Sequence, residues 1–564
     1  MIKKVRKIFD EILKSFCWEV EFELKEPPKE IKFDFATNLP LSVARKYKVS
    51  SQKVFENIKN ELLKKFKEIF IEIKFSEPGF LNFNLSLNFY FDEIQEIFRN
   101  KERYLKSNSE NVVGKKLLIE FVSANPTGPL HIGHGRCAVL GDVLGNIFKK
   151  LGYDLTKEYY VNDRGRQIDV LVASVIDSVL KIGDMYVEEE IKTWTEEIVK
   201  ETKYKGEYIR DVAKKLKEKF FEISDRNIDS VKKFVVETMM EDIKSSLENF
   251  KVKFDNYFYE TSLYNSGETD RIKEILLKKI SSKEESLVEY KDGALWFKSH
   301  KFSEDDKDRV LIKSNGEPTY FFSDIAYHYN KISRGYNWLI NIWGTDHHGY
   351  VERLKSSCKT IFEFLGMNYK LDIILYQLVS LIKNGNKIAM STREGKFISL
   401  DEVVKEVGCD VTRFFLLTKS PNAHLEFDFN LAKEHSLKNP VYYIQYAHTR
   451  CCGILKEIKQ LPGNDQLINS VKESCEILKQ EEIELIKKLC LYSEILQVCI
   501  ETFSPHHLCN YLIDLARIFH KFYENCRVIN NSEVIYYRLF LVMITKIVLS
   551  DALEILGVEA PQKM

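Results

Sequence analysis

The hydrophobic positions change period several times along the chain, and each change marks a predicted element. In residues 80–89, FLNFNLSLNF, apolar side chains fall on every second position, the alternation of a strand with one buried face. Charged helical patterns surround it, so residues 1–108 read as a small α+β domain. Its lysine-rich stretch from Arg45 to Lys67 reads as the solvated face of an amphipathic helix. Residues 106–116, KSNSENVVGKK, are polar and turn-rich, as a linker would be. KLLIEFVS (residues 116–123) is then a continuous apolar run of the kind buried in parallel sheets. From Ile132 the period turns helical, with Leu140, Val143, Leu144, Ile147 and Leu151 on one face and Gly152 as the stop. DLTKEYYVND (residues 154–163) reads as another strand. A strand, turn, helix and strand in this order form the repeating unit of a doubly wound sheet.

Charged helical patterns such as DVAKKLKEKFFEI (residues 211–223) dominate from about 170 to 305 and read as a helical insertion. The α/β rhythm resumes with RVLIK (309–313), PTYFFSDIAYHY (318–329) and NWLINIWGTDHH (337–348), strand-like runs with polar residues at their ends. Beyond about residue 435 the pattern is helical almost to the end, which predicts a bundle. Its clearest helix starts at Ser504 and Pro505 and buries Leu508, Leu512, Leu515, Ile518 or Phe519, and Phe522. The expected division is 1–108, 109–430 with the insertion, and 431–564.

Composition changes this picture little. With 44% hydrophobic and 30% charged residues the chain is an ordinary globular one. Lys+Arg and Asp+Glu are both 84, so a polyanionic partner would be held by local basic surface and not by a global field. The 11 cysteines include no CxxC pair, and adjacent Cys451 and Cys452 do not suit zinc spacing, so no metal site is expected. Free thiols, a charged N-terminal segment and the lack of a bilayer-length apolar run point to a soluble, cytoplasmic protein.

The chemistry concentrates in SANPTGPLHIGHGR (residues 123–136). A Pro/Gly turn leads into a helix whose first turn places His131 and His134 on one side, beside free backbone N–H groups and the positive end of the dipole. Gly133 between them would let a ligand approach the backbone. The imidazoles would then donate to phosphate oxygens as charge builds in a transition state. Ordinary polar residues or a metal pair remain alternatives for HxxH alone; a metal hydrolase would recruit His347 and His348 as well.

The same stretch resembles the HIGH signature of class I aminoacyl-tRNA synthetases, and in its wording that of the arginyl-tRNA synthetases. YYVNDRGRQI (159–168), KYKGEYI (203–209) and WGTDHHGYVERL (343–354) are similar to that family too. The resemblance implies a Rossmann-like class I catalytic domain, an appended N-terminal domain that contacts tRNA, and an all-α anticodon-binding bundle. It implies ATP-dependent ligation of L-arginine to tRNA(Arg) through an adenylate, with ATP and Mg2+ as substrate and no tightly bound cofactor. A monomer is expected.

By this resemblance His131 and His134 stabilise the α-phosphate and the departing pyrophosphate. Gly133, Gly344, Asp346, His347 and Met390 fall at ATP. KIAMSTREGKF (387–397) matches the second class I signature, with Thr392 where a lysine is usual, Ser391 and Arg393 as its catalytic residues, and Arg393, Lys387 or Lys396 as the source of mobile charge. A guanidinium wants carboxylates in fork geometry. Glu120, Ser123, Asn125, Tyr320 and Asp324 fall where the family holds its amino acid, both carboxylates being expected at strand ends, with a helix start after Ser323 as the alternative for Asp324. In the bundle, DLAR (514–517) matches the family's naming motif, and Tyr443, Tyr446 and Arg450 share a helix face suited to splayed bases. Met564 is implied to touch RNA as well. The altered second signature would also suit an RNA-binding protein that has lost catalysis.

Overall fold

The computed structural model describes all residues except 29, 108–114, 281–286, 303–306, 389–397, 435, 459, 475–476 and 532. The central sheet has five parallel strands, β1 (Lys116–Glu120), β2 (Asp154–Val161), β3 (Asn256–Tyr259), β4 (Trp338–Gly344) and β5 (Lys370–Tyr376). They lie in the order β5-β4-β1-β2-β3. The winding therefore reverses between β1 and β4, and the carboxyl ends of those two strands form the crevice where doubly wound sheets bind ligands. Leu117, Leu118, Ile119, Leu339 and Ile340 are buried, as parallel strands covered on both faces require.

The helix α1 (Ile132–Lys150) follows the turn after β1, with Leu140, Val143, Leu144, Ile147 and Leu151 all buried and Gly152 at φ +93° beyond its end. Two sequence readings need correction. The stretch 170–305 is more than an insertion, because β3 lies inside it and adds in parallel to β2. The helices Arg166–Ile182 to Ile228–Asn249 are the crossover between them, followed by a small antiparallel sheet over 288–312. PTYFFSDIAYHY, read as a strand, is the start of the helix α2 (Tyr320–Ser333). The Thr319 hydroxyl caps it by accepting the Phe322 N–H at 3.3 Å, and Phe321, Phe322, Ile325, Ala326 and Tyr329 then fall on its buried sides.

The N-terminal unit is a four-stranded antiparallel sheet packed with helices. Leu81, Phe83 and Leu85 point into its core, but the alternation stops at Leu85 and a helix begins at Leu87. The lysine-rich stretch includes the helix Ser51–Lys65, whose Val54, Phe55, Ile58 and Leu62 are buried while its lysines face outward. Most of the presumed linker lies outside the described residues.

Six helices of eight or more residues form the C-terminal bundle, from Pro440–Glu457 to Tyr536–Leu556. One starts at His506, with Pro505 as its cap residue, and buries Leu508, Leu512, Leu515, Phe519 and Phe522. The bundle is bolted to α1: Lys150 Nζ donates to Asp551 at 2.7 Å, Asn146 Nδ2 to Ile555 O at 3.0 Å, and buried Arg413 joins Asp142 at 2.5 Å to Leu556 O at 2.8 Å. No helix among the described residues is long and apolar enough to cross a membrane.

Candidate active site

His131 is the cap residue of α1. Its Nδ1 accepts the N–H groups of Gly133 (3.1 Å) and His134 (3.4 Å), and His134 Nδ1 accepts the N–H of His131 at 3.3 Å. The rings stack with centroids 3.8 Å apart. The two histidines thus form a reciprocal capping box. This changes the expectation in one respect: the N–H groups of residues 133 and 134 are taken by His131 and are not free for an anion. With both Nδ1 atoms accepting, a neutral ring carries its proton on Nε2, and the Nε2–H groups remain as donors. Burial holds the His131 imidazole below its ordinary range. Burial and the neighbouring ring push His134 down to about 3. Gly133 is explained by the same packing, since a Cβ there would stand 2.9 Å from His131 Cε1.

Behind the histidines the sheet carries a polar row. Glu120 of β1 is in register with Asn341 of β4 and Glu158 of β2, and Glu158 with Asn256 of β3, so these side chains share a face. Helix α2 lies over that row. Buried Lys331 donates to Glu120 Oε2 at 2.6 Å and Asn341 Oδ1 at 3.1 Å, while Arg334 forks onto Glu158 at 2.6 and 2.8 Å. Tyr327 Oη also donates to Glu158, at 2.7 Å. Each buried charge of this row faces an opposite charge, which offsets part of the cost of desolvation.

The chain leaves β1 through a strained turn, Val122 at φ +67° and Ser123 at φ +38°. A β-branched residue in the left-handed region is a true outlier, and such strain clusters at functional sites. The turn aims Ser123 Oγ back to donate to Glu120 Oε1 at 3.0 Å, while the Tyr160 N–H donates to the same hydroxyl at 3.1 Å. Asn125 Nδ2 meets Gln167 Oε1 at 2.5 Å.

Asp324 lies in the first turns of α2 and not at a strand end, with Tyr320 one turn before it and 67% exposed. Burial pushes the Asp324 carboxyl up to about 7, with Glu120 and Glu260 adding repulsion, against a hydrogen bond from the Tyr350 hydroxyl. Glu260, just past β3, is likewise pushed up to about 7 by burial. The Asn162 side-chain amide donates to it at 2.9 Å. Asp324 is hydrogen-bonded by the neutral Tyr350 hydroxyl, Glu260 feels the Arg164 charge against its burial, and Glu120 is already matched by Lys331. The site thus stores negative charge that a cationic ligand would settle.

Gly344, Asp346 and His347 form the turn at the end of β4 across the crevice. Asp346 is 80% exposed and its carboxylate lies 3.7 Å from His347 Nε2. A Cβ on Gly344 would meet Asp346 Oδ1 at 2.5 Å, so glycine lets that carboxylate fold back. Met390, Ser391, Thr392, Arg393 and Lys396 lie outside the described residues. Lys387 is described, 3.3 Å from Glu426. Among the described residues no group of His, Cys, Asp and Glu is arranged to hold a metal ion.

In the bundle, Arg450 lies over the rings of Tyr446 (4.5 Å) and Tyr523 (4.4 Å) and donates to Tyr446 Oη at 3.2 Å. Tyr443 packs on His520 with centroids 4.6 Å apart. The predicted face is therefore one aromatic and cationic patch, enlarged by His520 and Tyr523. Met564 is half-exposed at the chain end.

Three family models match successive parts of the chain: the arginyl tRNA synthetase N-terminal domain over residues 3–85, the catalytic domain of class I tRNA synthetases (R) over 93–425, and the DALR anticodon binding domain over 444–564. The chain belongs to the arginyl-tRNA synthetases. The arginine–tRNA ligase of Carboxydothermus hydrogenoformans is 39% identical over 560 residues, covering 97% of this chain and 95% of that one. That of Aquifex aeolicus is 38% identical, covering 100% and 99%. The arginyl-tRNA synthetase structure from Thermus thermophilus superposes with a TM-score of 0.72 at 18% identity over the full length of both chains, a likeness of fold.

Reading the synthetase's sequence alone missed Lys331, Glu158 and Glu260. A signal for Lys331 existed: Asp324, His328 and Lys331 are spaced i, i+4 and i+7, one face of a helix, and were hidden by the strand assignment. Glu260 had no comparable signal, because it reaches the crevice only through the pairing of β3 with β2.

Proposed function

We propose that the chain ligates L-arginine to tRNA in two steps at the crevice between β1 and β4. Arginine enters with its guanidinium toward Asp324 and Glu260, with Glu120, held by Lys331 and Ser123, as the fixed wall of the pocket. Tyr320 and Asn125 stand at the mouth. ATP lies along the turn Gly344–His347, its ribose hydroxyls toward the Asp346 carboxylate, which accepts from both. The arginine carboxylate oxygen attacks the α-phosphorus, the bond to the bridging oxygen breaks, and pyrophosphate leaves with that electron pair. The His131 and His134 Nε2–H groups donate to the phosphate oxygens as charge accumulates; their low pKa values make them neutral donors that take part in no proton transfer. Mg2+ arrives with the triphosphate, and basic residues in 387–397 add charge to it. A tRNA ribose hydroxyl then attacks the adenylate carbonyl, transferring arginine and releasing AMP. The Tyr443, Tyr446 and Arg450 patch stacks anticodon bases in this reading, and the chain works as a monomer in the cytoplasm.

The observation that supports it most is the meeting, at one topological switch point, of a capping pair of imidazoles with pKa values lowered by burial and of buried carboxyls whose pKa values burial raises to about 7. Pyrophosphate exchange with each amino acid in turn, with and without bulk tRNA, tests it. Exchange with arginine alone is expected; exchange with another amino acid, or none from folded protein under either condition, would overturn it. Glu120→Gln should raise the KM for arginine far more than that for ATP.

A further inference from the structure

Arg136, two residues past His134, is only 2% exposed. Its guanidinium donates to main-chain oxygens: Nη1 to Gln377 O at 2.7 Å and Ala423 O at 2.9 Å, Nη2 to Ser420 O at 2.9 Å. These acceptors lie on two segments far apart in the chain. Gln377 follows β5 and leads into the strand Val379–Lys383; Ser420 and Ala423 lead into its parallel partner Leu425–Asp428. The Gln377 N–H donates to Pro421 O at 2.9 Å, so the segments join where the guanidinium grips them.

Three further contacts lie around this grip. The Gln377 side chain accepts from Thr345 Oγ1 at 3.5 Å, inside the turn Gly344–His347. On the histidine side, the Leu400 N–H donates to Leu130 O at 2.7 Å, and Ser399 pairs with His131 as a β-bridge. One buried fork therefore meets the first turns of α1, the turn after β4 by way of Gln377, and the strand pair beside Asn386–Lys387. Burial lowers the Arg136 pKa to about 10, which leaves it charged at neutral pH. A planar guanidinium spreads its donors over separated carbonyls as a point-like ammonium does not.

We infer that Arg136 is a positioning residue for ATP, setting the spacing between the paired histidines of α1 and the turn Gly344–His347. It acts through these two segments and not by contact with the nucleotide. The inference rests on the proposed reading of those segments as the ATP site, and the test separates the two.

Arginine-dependent pyrophosphate exchange is measured on the full chain for wild type, Arg136→Lys, Arg136→Met and His134→Ala, with thermal melts as the folding control. Both Arg136 variants should raise the KM for ATP about tenfold or more, the scale of lost charged hydrogen bonds, and leave the KM for arginine within about twofold. A merely structural role would lower the active fraction without separating the two constants. Should Arg136→Met fail to fold, Arg136→Lys decides, because it keeps the charge and most of the length. An unchanged KM for ATP in folded Arg136→Lys, or an equal rise in both constants, overturns the inference while a slowed His134→Ala keeps the site reading. Wild-type turnover in His134→Ala overturns the site reading itself.

Discussion

If arginine binds as proposed, acidification should weaken its binding, because the carboxyls placed at its guanidinium are already close to protonation. Burial sets Asp324 at about 7, and only its ionised form pairs with a guanidinium that stays charged throughout. For one such group the apparent Kd scales as 1 + 10^(pKa − pH), so going from pH 8 to pH 6 weakens binding about tenfold. Glu260, also at about 7, steepens the fall toward about a hundredfold if both ionise to bind. Burial and the neighbouring ring push His134 down to about 3, well below this window, and burial moves His131 in the same direction. Isothermal titration of arginine between pH 5.5 and 8.5 measures the effect, with ATP binding as the control. Asp324→Asn should bind arginine at least about thirtyfold more weakly at pH 8 and lose part of the pH slope. A Kd constant within twofold from pH 8 to pH 6, or a wild-type slope in Asp324→Asn, would refute the reasoning.

The same substitution has a stability signature. A carboxyl raised in the folded state binds more protons there than in the unfolded chain, so its stability contribution is lost as pH rises from the ordinary carboxylate range through about 7. Asp324→Asn should therefore raise the melting midpoint at pH 8 and not at pH 4, as calorimetry would show. Gly133→Ala should drive the His131 ring off its cap, given the 2.9 Å approach, and slow adenylate formation by about tenfold or more. Normal single-turnover rates would contradict the capping account. Tyr446→Ala and Arg450→Ala should each raise the KM for tRNA, by about five- to fiftyfold per lost stack, and leave tRNA-independent arginine binding unchanged; filter binding and titration check the two halves.

The site was legible in the sequence to unequal degrees. SANPTGPLHIGHGR could be read because its chemistry is local: the turn, the cap and both imidazoles lie within one helical turn of each other. Gly133 has a further reason that only ring packing reveals: a side chain there would meet His131 Cε1 at 2.9 Å. Asp324 was named, but on the wrong kind of element. Apolar and aromatic residues in PTYFFSDIAYHY satisfy a strand and a helix about equally, and the Thr319 cap with the polar row beneath settles the matter in favour of α2.

Period, turn chemistry and motif spacing were enough for the three-part architecture, the α1 face, the bundle helix at His506 and the two histidines, because each depends on neighbours a few residues away. Long-range pairing was needed for the rest. β3 became a sheet strand through its register with Glu158–Val161, 98 residues earlier. Lys331 met Glu120 across 211 residues, and Arg136 met Gln377 across 241. The charges on Asp324 and Glu260 acquired their tendency to hold protons from burial among groups brought in from several strands and helices. A chain's local pattern says which residues prefer the interior; which buried charges then face one another is set by strand order and helix docking.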